Sequence, residues 1–143
     1  MQDTDIRFSV ERMVAYQVAV ELVRKVGTLS RQWSGWANLG DQVRRAAVSA
    51  LLNLAEGAGQ PPGSDAKKRH YEIALGSAGE VSAALDAARS LELSDASELS
   101  AAISDARRLG ALMRGLVRSV RRHKMASKRS QSDSAALTDS AST

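Results

Sequence analysis

The chain contains no cysteine, two prolines and five aromatic residues in 143 positions. Without cysteine there are no disulfides, thiolate zinc sites or cysteine nucleophiles. The prolines are adjacent, Pro61 and Pro62, so they interrupt the chain at one place. The aromatics, Phe8, Tyr16, Trp33, Trp36 and Tyr71, are too sparse for an all-β domain, whose strands draw on aromatic and β-branched side chains. Long apolar runs are also missing. The longest charge-free one, Ala46 to Ala55, is too short to span a bilayer. The opening Met1-Gln2-Asp3-Thr4-Asp5 is acidic where a secretory signal is basic and then apolar. The expectation is a soluble cytoplasmic protein with no membrane association.

What is present is alanine, with 24 copies in a chain that is 43% hydrophobic. Alanine is the best helix former and proline the worst, so the expected class is all-α. The length suits one domain.

Apolar periodicity and stop signals divide the chain into four helical segments. The first is expected over 9–32, with Met13, Tyr16, Val20 and Val23 on its apolar side and Arg12, Glu21 and Arg24 among its polar residues. The second is expected over 37–58, with Gly57 and Gly59 as left-handed terminators. Gln60-Pro61-Pro62-Gly63 breaks the chain. The third opens after Ser64 or Asp65, both good N-caps, and runs to about Leu91 with Tyr71, Ala74, Ala78, Val81 and Leu85 in one stripe. Gly76 and Gly79 inside it predict close approach of a neighbouring helix. Asp95 and Glu98 have the spacing of a reciprocal cap, opening a fourth helix that reaches about Lys124. Short connections favour an antiparallel up-down-up-down four-helix bundle over residues 8–125. Residues 126–143, polar and Ser-rich, bury too little to offset their ordering entropy and are expected to be disordered.

The formal charge of +4 hides an asymmetry. From Asp105 to the next acid, Asp133, the only charged residues are Arg107, Arg108, Arg114, Arg118, Arg121, Arg122, Lys124, Lys128 and Arg129. These nine leave 11 basic against 16 acidic residues elsewhere, a body of −5. Arg107, Arg114, Arg118 and Arg121 fall within about a third of the helix circumference, opposite Leu109, Leu112, Leu116 and Val120. A cationic C-terminal turn is ordinary, because it complements the helix dipole. The basic stripe spans several turns, however, and a solvated face usually mixes both signs. A polyanion is the favoured partner, RNA or DNA above all. Lys67, Lys68 and Arg69 join the candidate surface, since cations in a helix's first turns oppose its dipole and require another reason. The basic region has no aromatic residue on which unpaired bases could stack, so contact with the phosphate backbone is the expected mode.

Catalytic signals are weak. Gly57-Ala58-Gly59-Gln60-Pro61-Pro62-Gly63 lacks dinucleotide-loop spacing and follows a helix rather than a strand. His70 and His123, the only histidines, stand in different helices with no second ligand at metal spacing. No nucleophile arrangement, Walker loop or carboxylate pair stands out. The expectation is a non-enzyme without cofactor or metal.

In the second segment, Gln42, Arg45, Ser49, Asn53 and Glu56 form a polar stripe on an otherwise apolar helix. The stripe is either a solvent face or a subunit interface in which Arg45 and Glu56 meet a neighbour.

The same segment carries a resemblance. The run from Leu39 to Gly57, LGDQVRRAAVSALLNLAEG, resembles the pattern L-x-x-Q-x-R-R-A-x-x-S-x-x-x-N-I-A-E-G of the proteins encoded in 23S ribosomal RNA intervening sequences. Tyr71 to Glu80, YEIALGSAGE, is similar to a second motif of that family, and Val14 to Val23 is a weaker third. The resemblance implies a left-handed antiparallel four-helix bundle that self-assembles, commonly as a homopentamer, with no enzymatic activity. Related accessory proteins of diversity-generating retroelements bind nucleic acid and a reverse transcriptase through basic surfaces. The motif positions are Gln42, Arg44, Arg45, Ser49, Asn53, Glu56 and Gly57, then Gly76, Ser77 and Glu80, and the resemblance implies a structural role for them. Leu51 replaces a frequent proline, Trp33-Ser34 a frequent Phe-Pro, and His70 a frequent aromatic. The alternative function is a scaffolding oligomer whose partner is another protein.

Overall fold

A computed structural model describes Val10 and residues 13–141. The candidate helical residues Ser9 and Arg12, and Phe8, lie outside the described residues. The four helices are α1 (Val14–Ser30), α2 (Ala37–Ala58), α3 (Asp65–Ser90) and α4 (Ala96–Ser140). Each packs on its two neighbours: α1 on α2, α2 on α3, α3 on α4, and α4 back on α1. The diagonal pairs come no closer than 8 Å between Cα atoms. That is an antiparallel up-down-up-down four-helix bundle.

The expected boundaries of α2 hold. Ser64 caps α3 by accepting the Lys67 backbone N–H at 3.2 Å. Asp95 caps α4 by accepting the backbone N–H groups of Ser97 and Glu98 at 3.0 and 3.2 Å. The Ser97 hydroxyl and these two amides hold the Asp95 carboxyl below the usual carboxylate range.

Small residues line the core. Ala15, Ala19, Ala46, Ala47, Ala50, Ala74, Ala78 and Ala102 interleave with Leu22, Leu54, Leu85, Leu99, Leu109 and Met113, all buried. The stripe expected on α1 is displaced. Val20 is exposed, Met13, Tyr16 and Val23 are half-buried, and the inward row is Ala15, Val18, Ala19, Leu22, Val26 and Leu29. Alanine let that row pass for a weak one, whereas close helix approach favours small side chains inside.

Two ties fix the ends. At one, the Trp33 indole N–H donates to Ser94 Oγ at 2.8 Å, joining the first and third connections, and Trp33 is only 3% exposed. At the other, Gly63 lies on the α4 backbone at a φ of +72°, with its missing Cβ 3.1 Å from Lys124 N. Both the positive φ and the close approach require glycine there. Lys25 and Asp105 bridge α1 and α4 at 2.6 Å, both mostly shielded from solvent.

Two readings of glycine are corrected. Gly57 is inside α2 and Gly59 has a right-handed φ of −79°, so neither terminates the helix in the left-handed region. Gly57 instead admits a ring: its missing Cβ would stand 2.6 Å from Tyr71 Cδ1. Gly76 and Gly79 admit nothing, with no atom within 4 Å, and face outward.

The segment after Met125, expected to be disordered, continues α4 as a helix to Ser140. Every residue from Met125 to Ala141 is exposed. The reading that the segment buries nothing therefore stands, while its backbone extends a helix already begun. Such an extension avoids the cost of nucleation.

Candidate nucleic-acid interface

The antiparallel course places the start of α3 and the later turns of α4 at the same end. Three acids stitch that end together. Glu72 forms ion pairs with Lys68 at 3.5 Å and with Arg121 at 3.8 Å. Asp65 pairs with Lys124 at 2.5 Å, and this contact holds its carboxyl below the usual range. Glu56 faces His70 at 3.2 Å. The structure thus brings Lys68 and Arg121 to one carboxylate and sets Lys124 beside the α3 N-terminus.

Arg107, Arg108, Arg114, Arg118 and Arg122 are exposed and have no ion-pair partner among the described residues. Arg69 is likewise exposed and unpaired at the start of α3. These six carry charge that no acid among the described residues answers. Each unpaired exposed cation can neutralise a backbone phosphate and release the counterion condensed there.

Lys67 does something else. Its ammonium donates to the carbonyls of Gly57 at 2.8 Å and Ala58 at 3.2 Å, satisfying the end of α2. It sits 5.3 Å from the Tyr71 ring centre. Burial pushes its pKa down. Lys67 therefore ties α3 to α2 rather than standing among the free cations. A depression of about 210 Å³ opens beside it, floored by Tyr71 and Leu116 and rimmed by Ser119 and His123.

The motif residues meet along the α2–α3 seam. Ser49 and Ser77 share a hydrogen bond at 2.8 Å. Asn53 donates to the Ser49 carbonyl at 2.9 Å and its oxygen lies 3.1 Å from His70 Nδ1. Arg44 lies off that seam, joining α2 to α1 by donating to Ser30 Oγ at 2.8 Å and pairing with Asp41 at 2.5 Å. The chain belongs to the 23S rRNA-intervening sequence protein family. That family's model matches residues 11–115, so the basic turns from Arg118 onward lie beyond the matched stretch. Among solved structures, the chain is similar to a protein of unknown function from the S23 ribosomal protein family of Bacteroides thetaiotaomicron. The two are 17% identical with a TM-score of 0.65, and the match covers 73% of this chain and 98% of that one. It shows a shared fold. No curated protein sequence matches the chain.

Gln42, Arg45, Gly76 and Glu80 of the family motif remain on the outside of the seam. Beside them lie three apolar residues that sequence reasoning did not single out as exposed: Val48 at 40%, Leu52 at 58% and Ile73 at 40%. Val48 and Leu52 flank Ser49 on α2, and Ile73 and Gly76 flank Ser77 on α3. The signal was available, because the apolar arc of the second helix is wider than two neighbours can cover. Among the described residues, no group of three or more His, Asp or Glu is placed to hold a metal ion. No described helix is long and apolar enough to cross a membrane.

Proposed function

We propose that this family member is a non-enzymatic, self-assembling bundle that binds the backbone of RNA or DNA through α4. The observation that carries the reading is the outer face of α4, with five exposed arginines that no acid among the described residues pairs. Self-assembly is supported by the α2–α3 face, where Val48, Leu52 and Ile73 are exposed, Gly76 has nothing within 4 Å of its missing Cβ, and Arg45 has no ion-pair partner among the described residues. An unpartnered apolar face is what a subunit contact covers. A homopentamer and a place beside a reverse transcriptase are the finer forms of this reading, drawn from the resemblance of the motifs.

Replacing Arg107, Arg114 and Arg118 with Gln should weaken nucleic-acid binding and flatten its dependence on salt by about one unit of slope per lost contact. A wild-type chain with no salt-sensitive affinity for any nucleic acid overturns the proposal. For assembly, Arg45→Glu should shift the light-scattering mass toward the monomer. A wild-type monomer at micromolar concentration refutes the assembly. Nuclease-resistant co-purification of one protein partner would favour the scaffolding reading instead.

A further inference from the structure

The basic face of α4 has a defined length and a defined neighbourhood. Its cations begin at Arg107 and end at Arg129, bounded by Asp105 on one side and Asp133 on the other. All of them stand on one unbroken helix. At ~1.5 Å per residue the row is about 33 Å long. One turn of B-form DNA occupies about 34 Å. Arg107, Arg114, Arg118, Arg122 and Arg129 share one side of α4, and laid along a duplex they span the distance at which each strand returns to the same side of the axis.

The described residues around the row lack the contacts that single strands favour. Unpaired bases are held chiefly by stacking on aromatic faces. Among the described residues, Tyr71 is buried beneath Gly57 and Trp33 is buried at the opposite end of the bundle. Trp36, which is 46% exposed, sits in the connection at that same distant end. Tyr16 lies on the side of α1 turned away from Lys25, the residue that meets α4. Among the described residues, the face offers charge without a stacking surface.

The exit of α4 from the bundle adds a steric argument. Beyond Lys124 the helix is exposed on every side. The row therefore continues through Lys128 and Arg129 on a free rod, where no neighbouring helix obstructs a second, wider cylinder.

Resting on the nucleic-acid reading above, we infer that the ligand of this face is double-helical nucleic acid, held through its phosphates along about one turn. The test is fluorescence anisotropy of the full chain at several salt concentrations. Its probes are a DNA duplex and an RNA duplex of roughly 20 base pairs, about two turns, and oligo-dT and oligo-U strands of equal length. At least one duplex should bind tenfold or more tighter than both single strands, and the two duplex arms show which helical form is taken. Arg107→Gln and Arg129→Gln, at the two ends of the row, should each lower the salt slope by about 0.9 on a duplex, with the helical circular dichroism unchanged.

Single strands that bind as tightly as the duplexes, with salt sensitivity, overturn the duplex assignment and leave the nucleic-acid reading intact. Salt-sensitive binding to none of the four probes overturns both. A duplex slope insensitive to both end variants overturns the one-turn footprint.

Discussion

Gly57→Ala should destabilise the bundle, although the same substitution in most helices stabilises it. Alanine gains up to ~1 kcal/mol of helix propensity over glycine. Against that, the added Cβ would stand 2.6 and 2.7 Å from two ring carbons of Tyr71 and 3.2 Å from His70 Cβ. Ordinary contact begins near 3.4 Å. The ring cannot swing aside, because Tyr71 is only 4% exposed and belongs to the core. Relief requires α2 and α3 to separate or Tyr71 to leave its rotamer. Overpacking costs about 1–3 kcal/mol. An approach of 2.6 Å to a buried ring belongs to the upper part of that range, about 2–3 kcal/mol. The net loss should therefore be roughly 1–2 kcal/mol, a fall in Tm of roughly 4–8 °C. Gly27→Ala is the internal control: it lies in α1 with nothing within 4 Å of its missing Cβ. It should gain about 0.5–1 kcal/mol. Thermal and urea unfolding followed at 222 nm would resolve the opposite signs. If Gly57→Ala unfolds at or above the wild-type temperature, the close packing of Tyr71 on α2 is wrong.

Lys67→Met should cost roughly 1–2 kcal/mol in urea unfolding, since two carbonyls at the end of α2 lose their donor. It should leave the salt slope of nucleic-acid binding unchanged, in contrast to Arg118→Gln; an equal drop in both variants would return Lys67 to the binding surface. Truncation after Met125 should remove helical ellipticity without moving the main unfolding transition, because the deleted residues are all exposed; a lower Tm would show that the extension packs on something. Asp95→Asn should flatten the loss of stability in acid. The Asp95 pKa is lowered in the fold, so its contribution is present above the unfolded value of ~3.9 and disappears as the pH falls through the folded value. Urea midpoints between pH 2 and 6 that follow the same curve in both proteins would count against the cap.

The elements of the bundle were largely legible because their signals are local. Alanine-rich periodicity, the Ser64 and Asp95 caps and the Pro61-Pro62 break set α2, α3 and the start of α4 close to their observed bounds. The unpaired arginines were legible too, since an acid-free run needs no structure to be seen. Readings that depended on a neighbour went astray. Gly57 looked like a terminator because nothing in sequence says that Tyr71 lies across it. Lys67 looked like a free cation because its carbonyl partners belong to another helix. The inward face of α1 was misplaced because alanine is ambiguous between a core and a surface position. The extension of α4 was hidden for a different reason: the composition argument weighs burial, and a helix continuing from an existing one needs none.

That extension makes α4 a rod with a fixed root and a free tip. The bundle holds its first turns, so unwinding begins at Ser140 and travels toward Lys124, one residue at a time rather than all at once. Propagation constants close to one make the rod shorten gradually on warming while the bundle stays intact. Asp133 and Asp139 lie toward the tip and are loosened first; Lys128 and Arg129 lie at the root and are loosened last. Heating or a helix-breaking residue near the tip would therefore release acidic segments while leaving the cationic ruler at its full length.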